Sequence, residues 1–199
     1  MPLDTQISNY KEETMSDIKK ITAPFSKEVG KSLKAGESVL ISGTILVARD
    51  AAHKALTEAL ARGEKLPVEL AGETIYYLGP SPAKPGNAIG SAGPTTSGRM
   101  DKYTPTIIAQ GISGMIGKGY RSKEVIDSMV ANGVVYMVAV GGAAALISKT
   151  IKKYEVLAYP ELGPEAVARI TIEDFPAIVA IDTQGNNFYE MGQKPYRKI

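Results

Sequence analysis

The chain has 199 residues, 44% hydrophobic and 22% charged, a composition typical of a globular protein with one sizeable domain or two small ones. Its 23 lysines and arginines nearly balance 21 aspartates and glutamates, and this gives no support to non-specific nucleic-acid binding. No apolar run reaches the roughly 18 residues of a membrane span, and the N-terminus lacks the apolar core of a signal peptide. We therefore expect a cytoplasmic protein that binds neither nucleic acid nor membrane.

Two residue types are scarce, and this limits the chemistry of the chain. There is no cysteine, which excludes a disulfide, a thiol nucleophile and a cysteine-ligated metal centre built by this chain. The chain has a single histidine, His53, so a multi-histidine metal site within one chain is excluded. A Ser-His-Asp triad would have to use His53. A metal that takes part in the reaction would come on a partner.

Local sequence signals predict the elements along the chain. Residues 1–18 carry four acidic side chains against one lysine, so we expect an N-terminal extension there and an ordered domain over 19–199. Gly43 indicates a bulge or a close approach within a strand, and Asp50 is a natural helix N-cap. The predicted elements are an extended piece at 21–24, helices at 26–33, 51–60, 105–110, 122–131 and 143–151, and strands at 37–47, 68–78 (a pair), 112–116, 134–140, 168–172 and 177–181.

The alternation of these strands and helices predicts an α/β fold with a mixed sheet flanked by helices. Several strand ends pass directly into helix starts. Such junctions are where α/β folds place ligands, because helix N-termini present free N–H groups. The loops at Arg49, Arg99, Lys118 and Gly141 are of this kind.

Residues 93–101 (GPTTSGRMD) hold three adjacent hydroxyls between glycines, followed by Arg99. Glycine lets backbone N–H groups approach a ligand closely, and a guanidinium suits a carboxylate or a phosphate. The segment therefore indicates an anion site with a hydroxyl beside it. A plain polar turn is the alternative.

Two further motifs carry cations. The sequence RDAAH places Arg49 at a helix start, as a clamp for a carboxylate, and His53 would orient that ligand, face a neighbouring subunit or lie on the surface. The sequence GKGYRS at 117–122 places Lys118 between glycines. Gly119 stands where a phosphate-binding P-loop needs Ser or Thr, so Lys118 is a point charge near an anion or a turn residue.

Together, Arg49, Arg99, Lys118 and a threonine pair would suit a small dicarboxylate. No carboxylate that could serve as a general acid is evident in the chain. The pattern is therefore typical of half of an active site.

These three motifs, with residues 159–163 (YPELG), 173–176 (EDFP) and 182–186 (DTQGN), resemble the beta subunit of the class I, iron–sulfur fumarate hydratases. That subunit equals the C-terminal domain of the single-chain forms, and the resemblance covers about residues 19–190. It implies reversible hydration of fumarate to L-malate, a tricarboxylic acid cycle reaction, and a mobile, swivelling β/β/α domain. It also implies a hetero-oligomer with an alpha subunit whose own cysteines carry a [4Fe–4S] cluster, the open iron acting as a Lewis acid.

The same resemblance implies roles for single residues. Thr95 is the catalytic base, and the general acid, an aspartate, belongs to the alpha subunit. Nearby guanidinium charges would favour a threonine alkoxide and stabilise the aci-carboxylate that forms when a proton leaves the adjacent carbon. The substrate-binding residues are Arg49, Asp50, Ala51, Ala52, His53, Arg99 and Lys118, and none in this chain binds a metal. Ser97 stands where alanine is common in the family.

Two other functions stay open. The beta subunits of L(+)-tartrate dehydratase belong to the same hydro-lyase family, but they usually depart from the GRMD and AAH sequences found here. The second alternative is a non-catalytic subunit that binds an anion or supports assembly. The combination of a hydroxyl with three cations argues against it.

Overall fold

The computed structural model describes residues 18–83, 85–140 and 142–197; the predicted extension lies outside them except for Ile18, as does Gly141. The strands are β1 (Lys19–Ala23), β2 (Ser38–Val47), β3 (Thr74–Tyr76), β4 (Gly114–Gly117), β5 (Val135–Val138), β6 (Ile151–Ala158) and β7 (Val167–Ile181). The helices are α1 (Lys27–Ser32), α2 (Asp50–Ala61), α3 (Thr104–Ile108), α4 (Lys123–Asn132), α5 (Ala144–Thr150) and α6 (Phe188–Met191). Among the described residues, no helix combines the length and apolarity that a membrane crossing requires.

The strands form one mixed sheet that closes into a barrel. β2, β3, β4 and β5 run parallel to one another, and β7 pairs antiparallel with both β5 and β2. Five strands therefore complete a ring, while β1 and β6 extend the sheet outside it. The prediction of an α/β fold with a mixed sheet and flanking helices is confirmed, and closure of the sheet is an addition that the sequence did not indicate.

The barrel strands β3, β4 and β5 are buried on both faces. Along β3 and its continuation, Tyr76 and Leu78 belong to the interior cluster, whereas Ile75 and Tyr77 belong to a second cluster that also contains residues of α2, α3 and α4. This period of two is that of a strand between two apolar layers. Hydrophobic burial on both sides thus fixes where the loops at the strand ends emerge.

Most predicted elements are present, and two predictions are wrong. Residues 168–172 and 177–181 are parts of one strand, because a β-bulge at 173–174 opposite Ser42 bends the ladder without ending it. Of the predicted pair at 68–78, only the three residues of β3 are a strand. β6 was not predicted, since it is largely exposed and lacks an apolar alternation. Of the bulge or close approach expected at Gly43, the close approach is confirmed: φ is 113°, and an added Cβ would collide with the Ala23 carbonyl oxygen of β1.

His53 joins α2 to the barrel. Its side chain is fully buried, with its ring edge-on to Tyr77 at a centroid distance of 5.2 Å. Nδ1 lies 3.0 Å from the Arg49 carbonyl oxygen; that oxygen can only accept, so Nδ1–H is the donor. Burial lowers the pKa of His53 to about 4, against the opposing hydrogen bond to Arg49. The surface or partner-facing position considered for His53 is therefore wrong.

Because the native pKa of His53 lies below its unfolded value, the neutral imidazole stabilises the fold above pH 6.5. That stability is lost as the pH falls from 6.5 to about 4, by about 3 kcal/mol in total. His53→Asn keeps an N–H donor for the Arg49 carbonyl but does not titrate. Urea unfolding at several pH values is expected to show a smaller pH dependence in His53→Asn than in the wild type, and identical slopes would contradict this assignment.

Candidate active site

The three motifs emerge at one edge of the barrel. Arg49 of the first motif follows β2 and Lys118 of the third motif follows β4, whereas the second motif is bonded to the continuation of β3 through Thr95 and Tyr77. These three strands are parallel neighbours, so their carboxyl ends lie side by side. In α/β folds this edge is where ligands bind. The closed sheet thus places segments that are about 70 residues apart in the chain next to each other.

Asp50 connects the first two motifs. Its Oδ1 accepts from Arg99 Nε at 2.7 Å, and its Oδ2 accepts from Arg49 Nε at 3.0 Å. The expected N-cap role of Asp50 is wrong, because Arg49 occupies the N-cap position and Asp50 is the first residue of α2. Its carboxylate instead bridges two guanidinium groups.

The Asp50 bridge also affects the electrostatics of the site. Partial burial of Asp50 would raise its pKa, but hydrogen bonds from Arg49, from its own backbone and from Arg99 outweigh this, and the pKa lies below its usual value. The ionised carboxylate reduces the repulsion between two arginines at the same edge. Each arginine binds it through Nε, which leaves the Nη groups for other partners.

The loop that carries Thr95 is attached to β3 and β4 by backbone contacts. Thr95 N–H donates to the Tyr77 carbonyl at 2.7 Å, and Thr96 forms an isolated bridge with Lys118. Ser97 N–H donates to the Lys118 carbonyl at 2.9 Å. The second motif is therefore held against the third motif, with the half-buried Thr95 between strand ends.

Ser97 is a structural residue in this loop. Its side chain is fully buried, and its Oγ accepts from the Lys118 N–H at 3.1 Å and lies 2.8 Å from the hydroxyl oxygen of Tyr136. Tyr136 in turn donates to the Gly119 carbonyl at 2.9 Å. The hydroxyl of Ser97 is thus used to hold the Lys118 loop.

A buried arginine supports the loop from behind. Arg121 Nε donates to Asp101 Oδ1 at 2.8 Å, its Nη2 donates to the Thr104 hydroxyl at 2.7 Å, and its guanidinium carbon lies 5.4 and 5.2 Å from the ring centroids of Tyr77 and Tyr136. Both Arg121 and Asp101 lie inside motifs that sequence reasoning singled out, but it assigned them no role. Nothing in their spacing indicates that the arginine points inward.

The remaining residues of the RDAAH motif lie at different depths. Ala52 and His53 are fully buried. The N–H of Ala51 donates to Glu165 Oε2 at 2.7 Å, and Glu165 Oε1 lies 3.3 Å from Arg49 Nη2. Glu165 belongs to the 3-10 helix Pro160–Glu165, which no sequence signal connected with this site.

The exposed groups at this edge are cationic and hydroxylic. The Arg99 side chain is 54% exposed, Lys118 is exposed, and among the described residues Lys118 is in no salt bridge. The Arg49 side chain is only 19% exposed. Arginine Nη groups and a lysine ammonium beside a threonine hydroxyl can bind a carboxylate next to a group that transfers a proton.

The side chains of this chain do not fit a metal centre that the chain itself would hold. The chain contains no cysteine, and the described residues form no group of three or more His, Asp or Glu side chains that could hold a metal ion. An iron–sulfur cluster needs cysteine thiolates. Any such cluster at this site is therefore held by residues of another polypeptide segment.

Comparison with known proteins shows which family the chain belongs to. The model of the family described as Fumarase C-terminus matches residues 2–192. The class I, aerobic fumarate hydratase of Salmonella typhimurium is 45% identical over 155 residues, which are 77% of this chain but 27% of that protein. The class I, anaerobic fumarate hydratase of Escherichia coli is 43% identical over 152 residues, 75% of this chain and 28% of that protein. The chain thus spans about a quarter of the length of these relatives.

A relative of similar length also matches. A protein of Methanocaldococcus jannaschii, provisionally assigned as L(+)-tartrate dehydratase subunit beta, is 40% identical over 181 residues, 87% of this chain and 93% of that protein. The match over residues 2–192 leaves little of the chain outside it. The chain belongs to the fumarase C-terminal domain family, which contains the C-terminal part of class I fumarate hydratases and tartrate dehydratase beta subunits.

Proposed function

We propose that this chain is the beta part of a class I fumarate hydratase, which hydrates fumarate reversibly to L-malate. The observation that carries the proposal is the Asp50 bridge, which holds Arg49 and Arg99 at the edge where Thr95 and Lys118 emerge. The oxygens of a dicarboxylate are suitable acceptors for the arginine N–H groups and the lysine ammonium at this edge. The RDAAH and GRMD motifs, where tartrate dehydratases usually differ, favour fumarate.

In the dehydration direction, Thr95 acts as the base. Its alkoxide takes the proton from the carbon next to one carboxylate, so that a C–H bond breaks and an O–H bond forms on Thr95. The electron pair moves into that carboxylate, and guanidinium groups stabilise the resulting charge. The C–O bond on the neighbouring carbon then breaks, the double bond forms, and the departing hydroxyl leaves as water with a proton from an acid on the partner.

This chain supplies half of the site. The class I fumarase family uses an iron–sulfur cluster, which this chain cannot ligate because it has no cysteine. We therefore infer an alpha partner that carries the [4Fe–4S] cluster and the acid. The barrel would act as a swivelling domain that closes its cationic edge over the partner.

The alternative is the beta subunit of L(+)-tartrate dehydratase. The observation in its favour is the relative from Methanocaldococcus jannaschii, of which the match covers 93%. The two substrates are both four-carbon dicarboxylates, so the same arginines would serve either of them. A purely anion-binding or assembly subunit is the third candidate, and it gives no role to Thr95.

Reconstitution tests the proposal directly. The chain is co-expressed with a cysteine-bearing alpha partner, purified without oxygen, and assayed with fumarate and with L(+)-tartrate. We expect fumarate hydration by the complex, no activity from the chain alone, and slower turnover of tartrate. Faster turnover of tartrate would favour the alternative, and activity of the cluster-free chain would contradict the shared site.

Thr95→Ala in the complex is expected to lower kcat by about 10²- to 10⁴-fold with little change in KM, because a base acts in the transition state. Thr96→Ala is the matched control, since Thr96 is the exposed neighbour in the same loop. Steady-state kinetics of both variants check the assignment. Unchanged turnover in Thr95→Ala, or a larger loss in Thr96→Ala, would remove Thr95 as the base.

Arg49→Ala and Arg99→Ala should each weaken dicarboxylate binding by roughly 10- to 100-fold, the value of a hydrogen bond to a charged group. Arg62→Ala is the control, because Arg62 caps the far end of α2 and pairs with Glu64. KM for fumarate and the inhibition constant of a dicarboxylate analogue measure the effect. Equal values in Arg99→Ala and Arg62→Ala would contradict the clamp.

A further inference from the structure

Arg49 is held by three neighbours that sequence reasoning did not connect. Asp50 binds Nε, Glu165 binds Nη2, and the side chain passes over Gly79. We propose that Gly79 and Glu165 are positioning residues that orient the guanidinium of Arg49 toward a substrate carboxylate. This inference rests on the proposed function, since it assigns the substrate carboxylate as the ligand of Arg49.

Gly79 provides the space in which Arg49 lies. A Cβ atom at this position would collide with Arg49 Nη1, and it would lie 3.0 Å from Cδ and 3.4 Å from Cζ. The φ of Gly79 is not in the left-handed region, so the backbone itself accepts alanine there. The colliding atoms belong to a flexible side chain. An added methyl group therefore displaces the guanidinium while the fold remains intact.

Glu165 holds the same guanidinium from another side. One carboxylate oxygen contacts Arg49 Nη2 at 3.3 Å, and the other accepts the N–H of Ala51 in the first turn of α2 at 2.7 Å. The carboxylate thus fixes the arginine relative to its own helix. Pro160 and Pro164 restrict the backbone of the 3-10 helix that presents it.

The contacts leave one side of Arg49 available. Among the described residues, Nε and Nη2 are paired with carboxylates, whereas Nη1, beside Gly79, has no hydrogen-bond partner. A guanidinium binds a carboxylate best through a pair of parallel N–H groups in a fixed plane. Glu165 and Asp50 set that plane, and the missing side chain at residue 79 leaves the space that Nη1 occupies.

The first test is Gly79→Ala in the reconstituted complex. KM for fumarate is expected to rise about 10- to 100-fold with kcat changed much less, because a displaced binding group loses its alignment. Gly30→Ala is the control, since a Cβ there lies 3.7 Å or more from its neighbours. Thermal unfolding midpoints of both variants should match the wild type. Succinate binding, measured by calorimetry, should weaken in Gly79→Ala alone.

The second test separates charge from hydrogen bonding at residue 165. Glu165→Gln keeps an oxygen for Ala51 N–H but loses the attraction to Arg49, whereas Glu165→Ala loses both. We expect succinate affinity to decrease from wild type to Glu165→Gln to Glu165→Ala. Glu161→Gln is the control, because exposed Glu161 lies in the same 3-10 helix and is in no salt bridge among the described residues.

The outcomes distinguish the two claims. If the wild-type complex turns over fumarate but Gly79→Ala and Glu165→Ala keep wild-type KM and succinate affinity, the positioning role is wrong and the proposed function stands. If the wild-type complex binds neither fumarate nor succinate, the proposed function fails and this inference fails with it. A lowered kcat with unchanged KM and unchanged succinate affinity would also overturn the positioning role.

Discussion

The arrangement of the site depends on one carboxylate between two guanidinium groups. Asp50 accepts from Arg49 and from Arg99, which come from segments that lie 50 residues apart in the chain. Without an anion between them, two arginines at one edge would repel each other. Because both use Nε for this bridge, and Glu165 takes only Nη2 of Arg49, Nη1 of Arg49 and the Nη groups of Arg99 are left for a ligand. The carboxylate therefore assembles the cationic site without consuming its binding groups.

Behind this bridge lies a buried polar network around Arg121, and in front of it the site is open. Arg121 is enclosed by Tyr77 and Tyr136, and its ion pair with Asp101 holds the end of the Thr95 loop. Buried, fully paired networks of this kind favour one conformation. The exposed groups face outward from the barrel edge, as expected for one half of a site whose other half lies on a partner.

Sequence reasoning was most successful where a residue's role depends on its immediate neighbours. Ser122 caps α4 through its side chain and Gly133 ends that helix in the left-handed region, as the local pattern predicts. It failed where a role depends on distant chain segments. The local sequence predicts a helix cap at Asp50, whereas its partner Arg99 lies in another loop. No local signal marks Glu165, because its partners Arg49 and Ala51 lie in a distant part of the chain.

The family resemblance and the three cationic motifs are readable from residue identity, and the missing cysteines predict a partner that would carry any cluster. The shared edge of the motifs, the burial of His53 and Ser97, and the contacts of Gly79 and Glu165 with Arg49 are visible in the folded structure alone. The reason is physical. Motif residues are recognised along the chain, whereas burial, charge pairing and steric space depend on which strands become neighbours in the closed sheet.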